Sequence, residues 1–317
     1  MTILVLGSQG LVGSAVCRTL AKDKREFIPA SRKDFNLMDL NSTKDFFERI
    51  KPNSIIGAAA KVGGMIANKT YPVEFLFDNL TMQNNMMQAA FDKQVEKVVF
   101  LGSSCIYPAK ASQPISEASL LTGVLEKSNE AYAIAKIAGV KLIQSFRDEY
   151  EKKWISVMPT NLYGPGDNYD LNNSHVLAAF IRKFYEASKS KVKKIEMWGS
   201  GKPRREFMHV DDFAKALIYV HDFYNEREPI NIGTGKDISI LELANLMANI
   251  SKFEGEITWN TDIPDGTYQK LLDVNKLNQL GWKSTMDLQT GLESTYDWFS
   301  KNYNKSRLNV PIHFQKT

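Results

Sequence analysis

Short apolar runs alternate with amphipathic stretches along the first half of the chain. Mostly apolar runs of four to seven residues, which predict buried parallel strands, occur at 3–6, 27–30, 53–59, 97–101 and 154–158. Apolar residues at helical spacing, which predict helices between these strands, occur at 11–21, 42–50, 72–93 and 130–150. This alternation is typical of an α/β fold with a Rossmann-like, doubly wound parallel sheet.

The rhythm changes after Pro165. The pattern that follows predicts strands at 205–210 and 229–233 and helices at 174–188, 212–224, 240–250 and 287–302. We expect Asp211 and Ser239 to cap two of these helices, and the strand at 229–233 to return to the first sheet.

This change of rhythm predicts two domains. The first would comprise residues 1–165 plus 206–235, and the second, a smaller C-terminal α/β domain, residues 166–205 plus 236–317. Residues after about 304 are expected to form a poorly anchored tail.

Composition and charge restrict the possible partners. The chain has 317 residues, a formal net charge of +4 and two cysteines. The charge is mild and unclustered, so we expect neither nucleic acid nor a membrane surface as a partner. Two cysteines without metal-ligand spacing predict neither a disulfide framework nor a metal site. The chain opens on an apolar strand without a basic leader, which predicts a protein of the reducing cytoplasm.

A glycine-rich loop follows the first predicted strand. Its sequence, GSQGLVG, contains Gly7, Gly10 and Gly13. Glycine permits a tight turn and a close backbone approach, and the N-terminus of the following helix attracts a pyrophosphate. The loop therefore predicts dinucleotide binding rather than a plain strand-to-helix turn.

The end of the second strand indicates which dinucleotide is bound. NAD sites place an acidic residue there to bind the ribose 2′-hydroxyl, whereas this chain has Ser31, Arg32 and Lys33. A cation suits a 2′-phosphate, so Arg32 favours NADP; the alternative is that Arg32 is a surface arginine. We expect Asp39 and Leu40 to border the adenine.

Two residues at helical spacing provide candidate acid–base chemistry. Tyr132 and Lys136 are four residues apart, so a helix places both side chains on one face. An ammonium beside a phenol is expected to lower the phenol pKa, which makes Tyr132 a candidate proton donor. Ser103 can hold a carbonyl oxygen against the phenol, and Cys105 places a thiol two residues away. The alternative for Cys105 is a buried apolar residue.

Longer motifs surround these candidates. The most specific are GSSCIYP at 102–108, MPTNLYGP at 158–165, NSHV at 173–176 and PDGT at 264–267, and a further match is WGSGKPRREFMHVDD at 198–212. With the glycine loop and NEAYAIAKIAG at 129–139, they make nearly the whole chain resemble the extended short-chain dehydrogenase/reductases. Within that family the chain is similar to the branch that acts on GDP-4-keto-6-deoxy sugars.

The resemblance implies a role for each matching residue. Ser103, Tyr132 and Lys136 would form the reductive triad, with Cys105 as the base and His175 as the acid of an epimerisation. Besides the residues already given, the dinucleotide would contact Gln9, Leu11, Val12, Ala59, Ala60, Tyr132, Lys136, Pro159, Asn161, Leu162 and His175. The GDP-sugar, bound mainly by the second domain, would contact Ser104, Asn161, Lys183, Trp198, Arg205 and Lys270.

Several of these positions keep an alternative. Some members of the family have arginine in place of Lys183 and a basic residue in place of Gln9, so Arg32 carries most of the NADP prediction. His175 and Trp198 could be packing residues rather than ligands of cofactor or sugar. We expect His209 to be structural because it lies at a strand end outside the proposed site.

The implied reaction is NADPH-dependent reduction at C4 of GDP-4-keto-6-deoxy-D-mannose, with epimerisation at C3 and C5, to give GDP-L-fucose. The alternative is C4 reduction without epimerisation, acting on a GDP-4-keto-6-deoxy-heptose or another GDP-keto sugar. Cys105 and His175 favour the bifunctional enzyme. The presence of both Tyr132 and Lys136 argues against a non-catalytic NADP sensor, and Ser104-Cys105 replaces the acid pair of related dehydratases.

The resemblance also implies an assembly. Members of the family form homodimers through two long helices, which correspond to the predicted helices at 72–93 and 130–150. Both stretches carry enough apolar residues for such a contact, so a homodimer is expected.

Overall fold

The apolar runs of the N-terminal half form a six-stranded sheet in the computed structural model, which describes residues 2–263, 265–306 and 308. The described strands are β1 Ile3–Leu6, β2 Phe27–Ala30, β3 Ser54–Gly57, β4 Lys97–Leu101, β5 Ile155–Pro159, β6 Asn161–Tyr163, β7 Lys194–Trp198, β8 Arg204–His209, β9 Ile230–Ile232, β10 Asp237–Ser239, β11 Glu256–Asn260 and β12 Gln269–Lys270. The described helices are α1 Leu11–Lys22, α2 Leu40–Ile50, α3 Met65–Thr70, α4 Pro72–Asp92, α5 Glu130–Tyr150, α6 Val176–Ser190, α7 Val210–Phe223, α8 Ile240–Ser251, α9 Asn275–Leu280 and α10 Leu288–Asn302.

The strand order of the large sheet indicates where along its edge a ligand is expected to bind. The strands are all parallel and lie in the order β2-β1-β3-β4-β5-β9. Because β2 and β3 flank β1 on opposite sides, the strand order reverses between β1 and β3, where open α/β sheets bind ligands beyond the carboxyl ends of the strands. β9 extends the sheet beside β5, as predicted from the return of residues 229–233. The predicted α/β fold with a doubly wound parallel sheet is confirmed.

Helices cover both faces of this sheet, and each face has its own apolar core. Val16 of α1 and Phe213 of α7 are fully buried on one face. Phe47 of α2, Met87 of α4 and Val140 of α5 are fully buried on the other. Burial on both faces explains why these strands appear in the sequence as continuous apolar runs.

A third apolar core lies among α6, α8 and α10. β7 pairs with β11, and β8 pairs with β6, β10 and β12 in a small second sheet. The buried carboxylate of Glu206 on β8 accepts backbone hydrogen bonds from Thr234 at 2.6 Å, Gly235 at 2.7 Å and Leu272 at 3.0 Å. One carboxylate therefore joins the loop after β9 to the segment after β12.

One predicted cap is confirmed and one is wrong. Ser239 caps α8 and forms a capping box with Glu242. α7 begins at Val210, and its N-cap is His209, whose Nδ1 accepts a hydrogen bond from the Asp211 N–H at 3.2 Å. Asp211 therefore lies inside the helix, where its carboxylate pairs with Arg18 of α1. The buried ring of His209 has the structural role that was expected for it.

Part of the predicted tail lies outside the described residues. The structure describes residues 305, 306 and 308 but not 307 or 309–317. Pro264, the first residue of the PDGT motif, also lies outside the described ranges.

Candidate active site

The loop between β1 and α1 fits a dinucleotide. Gly7 has a φ of +73°, and a Cβ added to it would lie 2.8 Å from the Ala58 carbonyl oxygen. A Cβ at Gly13 would lie 2.2 Å from the Gly7 carbonyl oxygen, so any side chain there would collide with backbone. The backbone of the loop therefore packs closely against the N-terminus of α1. The first turn of this helix consists of uncharged residues. The N–H groups and the positive dipole end of this helix favour a pyrophosphate.

The other predicted cofactor residues lie around the same edge of the sheet. They occupy the loop before α1 and its first turn, the ends of β2, β3 and β5, the start of α2 and the short strand β6, and they are Gln9, Leu11, Val12, Arg32, Asp39, Leu40, Ala59, Ala60, Pro159, Asn161 and Leu162. Arg32 is exposed. Asp39 is the N-cap of α2 and accepts a hydrogen bond from the Ser42 N–H at 2.6 Å. Asn161 donates its amide N–H to the Glu206 carbonyl at 2.9 Å. Contact between these residues and the dinucleotide remains a prediction.

Three residues of the predicted triad converge at the end of β4. Tyr132 and Lys136 lie in the first two turns of α5, and the Ser103 side chain lies near enough to the Tyr132 hydroxyl to act on its pKa. Lys136 Nζ donates to the Leu101 carbonyl at 2.8 Å and lies 5.7 Å from the centroid of the Tyr132 ring. The spacing of four residues thus brings the two side chains together, as predicted.

The predicted lowering of the Tyr132 pKa is wrong. Burial raises the pKa of Tyr132 well above its ordinary value, the nearby Cys105 raises it further, and the Ser103 side chain offsets part of the rise. Burial also lowers the pKa of Lys136 to about 8. Desolvation of the phenolate outweighs the attraction of the neighbouring ammonium, which is already bound to the Leu101 carbonyl. Tyr132 therefore carries its proton at neutral pH, which is the state that a proton donor needs.

A short 3-10 turn places Cys105 beside these residues. Ser103 caps this turn by accepting a hydrogen bond from the Cys105 N–H at 3.2 Å. Cys105 Sγ lies 3.1 Å from Asn129 Nδ2 and 3.7 Å from Lys270 Nζ. The structure thus joins the predicted base to a predicted substrate-binding cation. It also adds Asn129, for which the sequence analysis had no role although Asn129 opens the NEAYAIAKIAG motif.

His175 lies at the start of α6, apart from the thiol contacts. It is the N-cap residue, it is exposed, and its side chain makes no cap hydrogen bond. Two residues before His175, the chain contacts the loop after β3, where the Asn173 carbonyl accepts a hydrogen bond from the Gly64 N–H at 2.9 Å. Within the described ranges no hydrogen bond joins His175 to Cys105, so its role as the acid stays a prediction.

Two of the predicted GDP-sugar residues, Lys183 and Trp198, lie against each other. Lys183 Nζ lies 5.3 Å from the centroid of the Trp198 ring, and Trp198 is 47% exposed. Burial lowers the pKa of Lys183 and that of Arg205, and the carboxylates of Glu126 and Asp265 act on Arg205 in the opposite direction. A partly buried, cationic surface of this kind suits a diphosphate. Ser104, in contrast, is 5% exposed in the 3-10 turn.

Two structural features bear on partners. Within the described ranges, no group of three or more His, Cys, Asp or Glu side chains could hold a metal ion. No helix in that same part of the chain is long and apolar enough to cross a membrane.

Comparison with known proteins shows to what this architecture is similar. Residues 3–233 match the NAD dependent epimerase/dehydratase family. The chain is 45% identical over 315 residues to the GDP-L-fucose synthase of Escherichia coli (strain K12), which covers 96% of this chain and 98% of that protein.

Solved structures also match this chain over nearly its whole length. A GDP-L-fucose synthetase from Naegleria fowleri bound to NADP matches with a TM-score of 0.90 and 32% identity, over 96% of this chain and 94% of that one. A GDP-6-OMe-4-keto-L-xylo-heptose reductase from C. jejuni also matches with a TM-score of 0.90 and 32% identity, over 95% of this chain and 98% of that one. The similarity therefore extends over both apolar cores of the sheet and the smaller C-terminal core.

Proposed function

The chain belongs to the NAD dependent epimerase/dehydratase family, and we propose that it uses NADPH to convert GDP-4-keto-6-deoxy-D-mannose to GDP-L-fucose. One observation carries this proposal: Ser103, Tyr132 and Lys136 lie together with the thiol of Cys105 at the end of β4. The first three residues suit reduction of a carbonyl, and a thiol two residues from Ser103 suits proton transfer at the carbons beside that carbonyl.

The epimerisation follows from the chemistry of a 4-keto sugar. The carbonyl at C4 makes the hydrogens at C3 and C5 acidic, so a base on one face and an acid on the other can invert each carbon. Cys105 as a thiolate removes the proton, while Ser103 and Tyr132 donate hydrogen bonds to the C4 oxygen, where negative charge develops. His175 returns a proton from the opposite face.

The reduction uses the same carbonyl position. NADPH bound along the glycine loop would supply the hydride for C4 and leave as NADP⁺. Tyr132 gives its proton to the C4 oxygen, which becomes a hydroxyl. The Lys136 ammonium lies close enough to stabilise the phenolate that this leaves on Tyr132. One set of carbonyl-binding residues therefore serves both half-reactions.

A second candidate is C4 reduction without epimerisation on a GDP-keto-heptose. The similarity to the C. jejuni heptose reductase favours it, because that structure matches as well as the Naegleria fowleri one does. The higher sequence identity to the Escherichia coli enzyme and the pairing of Cys105 with Lys270 favour the bifunctional reaction.

Incubation with GDP-4-keto-6-deoxy-D-mannose and NADPH in deuterated water tests the proposal. We expect NMR of the product to show GDP-L-fucose with deuterium at C3 and C5. A Cys105→Ser variant should lose this deuterium uptake but still reduce a keto sugar that needs no inversion. NADPH oxidation without deuterium uptake in the parent protein would select the reductase alone, and no oxidation with either sugar would contradict both candidates.

We also propose a division of labour along the chain. Residues 1–165 plus 206–235 bind NADPH, and residues 166–205 plus 236–317 bind the GDP-sugar. The glycine loop supports the first assignment, and the cationic surface of Lys183 and Arg205 supports the second.

A homodimer in the cytoplasm completes the proposal. Val73 and Phe77 of α4 are 72% and 62% exposed, and Ile134 of α5 is 44% exposed, so the neighbouring outer faces of these helices carry apolar side chains. Such faces suit contact with a second copy of the chain. Both cysteines are free, and the reactive thiol requires a reducing compartment.

A further inference from the structure

We infer that Asn129 is a positioning residue for the Cys105 thiolate and that its side-chain oxygen binds a hydroxyl of the sugar; this inference rests on the proposed function. Asn129 Nδ2 lies 3.1 Å from Cys105 Sγ. Asn129 Oδ1 is buried, and within the described ranges it has no hydrogen-bond partner. One carboxamide therefore contacts the reacting sulfur at one end and has an unused acceptor at the other.

The Asn129 side chain does not make the hydrogen bond that is usual for an asparagine at the start of a helix. Asn129 is the N-cap residue of α5, where asparagine ordinarily bonds to the first free N–H groups of its own helix. The side chain of Asn129 makes no such bond, whereas Asp39, Ser239 and Asp287 do so at the starts of α2, α8 and α10. Helix capping therefore does not explain the direction of this side chain, but the contact with Cys105 does.

The protein fixes Asn129 from its backbone. The Asn129 N–H donates to the Glu126 carbonyl at 3.2 Å, and the Glu126 carboxylate accepts from the Ser128 N–H at 3.3 Å. This turn leads directly into α5, which also carries Tyr132 and Lys136. The amide that contacts the sulfur is thus held in one rigid unit with the acid of the reduction.

The charge of the sulfur determines what the amide does. A thiolate accepts hydrogen bonds and cannot donate one, so the Asn129 N–H is placed to donate to the sulfur once Cys105 has lost its proton. Lys270 Nζ, at 3.7 Å, supplies a second donor from a distant part of the chain. Of these two donors, Asn129 is the uncharged one. It is also preorganised, because its turn leads directly into α5, which carries Tyr132 and Lys136.

The unused oxygen indicates what the second end binds. A buried acceptor without a partner is unfavourable, and a donor from a ligand removes that cost. A hydroxyl of the sugar ring, next to the carbon from which Cys105 takes a proton, is a donor of the right kind. Binding the hydroxyl would then fix the amide, and the amide would fix the thiolate toward the carbon.

Alkylation of Cys105 tests the contact with the sulfur. The rate of reaction with iodoacetamide is measured against pH in the full chain without sugar, with peptide mass spectrometry to separate Cys105 from Cys17, whose pKa burial raises to about 11. In Asn129→Ala we expect about tenfold slower alkylation at neutral pH and a pH profile displaced upward, because a donor to a charged acceptor is lost. Asn129→Asp should be slower still, since it adds a negative charge beside the sulfur.

The order of these two variants distinguishes positioning from packing. Aspartate has nearly the shape of asparagine, so a packing role predicts a milder effect for Asn129→Asp than for Asn129→Ala. That order, or pH profiles that match the parent, would overturn the inference. If Asn129→Ala does not fold, Asn129→Ser keeps a residue that is good at the N-cap but too short to reach the sulfur.

Turnover tests the contact with the sugar. With the GDP-4-keto sugar in deuterated water, Asn129→Ala should lower deuterium uptake by about tenfold to a hundredfold and raise the sugar KM, while NADPH binding is unchanged. A parent protein that turns over the sugar, with unchanged uptake in Asn129→Ala, would refute the inference and leave the proposed function intact. A parent protein without turnover would refute the function, while the alkylation profiles would still decide the contact with the sulfur.

Discussion

Tyr132 shows how strongly a single residue depends on its burial. The sequence pattern predicts a phenol acidified by Lys136, yet burial raises the pKa of Tyr132 and lowers that of Lys136. Both pKa shifts favour the uncharged form of each residue. Burial removes water from the phenolate and from the ammonium, and this destabilises the two charges more than their mutual attraction stabilises them. Tyr132 therefore stays protonated until negative charge develops on the sugar oxygen, which then accepts the proton.

Replacing Tyr132 with phenylalanine removes that proton and keeps the ring, which packs edge-on against Phe75 at a centroid distance of 6.2 Å. We expect NADPH oxidation to fall by about 10²- to 10⁴-fold, because a positioned proton donor is lost. Loss of NADPH absorbance measures the rate, and nicotinamide fluorescence measures binding, which should persist. Turnover equal to that of the parent would exclude Tyr132 as the acid.

Lys136 predicts opposite effects of alkaline pH on activity and on stability. Its pKa in the folded protein is about 8, against an ordinary value of 10.5, so the ammonium that supports the Tyr132 phenolate disappears as pH rises through about 8. We expect kcat to fall up to about tenfold per pH unit above that point.

The free energy of unfolding should rise over the same range. Between pH 8 and 10.5 the unfolded chain binds a proton at Lys136 that the folded chain has released, so folding gains stability as pH rises. Urea unfolding and a pH–rate profile measure the two effects, and Lys136→Gln should remove this contribution from both. Rates that stay flat to pH 10 would show that the ammonium is not needed.

Arg32 carries the prediction about the cofactor. If it binds the 2′-phosphate, Arg32→Ala should raise the NADPH KM about tenfold or more and leave the NADH KM nearly unchanged, because only NADPH loses a charged hydrogen bond. Lys33→Ala is the matched control, since Lys33 is a neighbouring cation that is also exposed. Equal changes for the two cofactors in Arg32→Ala would identify Arg32 as a surface residue.

At the scale of elements, the fit between α5 and β4 determines where the triad lies. A Cβ added to Gly139 would lie 2.3 Å from Phe100 Cζ, so this glycine sets the closest approach of helix to strand. Lys136, one turn earlier, reaches the Leu101 carbonyl of β4 because the helix lies so close. The geometry of the site is therefore set by a contact that carries no chemistry itself.

Gly139→Ala should displace α5 and weaken both fold and reaction. We expect the free energy of unfolding to fall by about 1–3 kcal/mol, as for other overpacked cores, and kcat to fall because Tyr132 and Lys136 move from Ser103 and Leu101. Urea unfolding and NADPH oxidation give the two quantities. Phe100→Leu, which makes room on the strand, should restore part of both in the double variant. Additive losses would mean that the two side chains do not interact.

The elements also show which parts of the fold the sequence could predict. The bounds of β1, β2, β4 and α5 agree with the apolar runs and the helical spacing, because burial on a sheet or along one helix face leaves a local pattern. The strand β7, Lys194–Trp198, was not predicted, since it follows directly on a basic stretch and is stabilised by pairing with β11 about 60 residues later. His209 replaces Asp211 as a cap for a similar reason: the fold buries its ring, and no local signal records that.

At the scale of the molecule, the candidate site joins segments that are far apart in sequence. The resemblance assigned Cys105 and Lys270, and a separation of 165 residues hides their contact until the chain is folded. The contact of Asn129 with the sulfur was equally hidden, because a residue before a helix is ordinarily taken for a cap. Residue types and motifs therefore predict the chemistry, but convergence on one sulfur depends on the tertiary structure.

The apolar outer face of α4 and α5 leads to a prediction for the assembly. Val73 and Phe77 are four residues apart on α4, so they share one face, and the edge-on contact of Phe75 with Tyr132 shows that α4 lies beside α5. A dimer that buries this face would also brace the helix that carries Tyr132 and Lys136. We expect the parent protein to have twice the mass of one chain in solution.

Phe77→Glu should give a folded monomer. The side chain is 62% exposed in the single chain, so the charge costs little within one copy but would be buried without a partner in a dimer. Sedimentation equilibrium measures the mass, and circular dichroism confirms the fold. Phe223→Glu is the matched control, because Phe223 is 64% exposed on α7, on the opposite face of the sheet, and should leave the mass unchanged. A monomeric parent protein, or a dimeric Phe77→Glu variant, would place the interface elsewhere or nowhere on this chain.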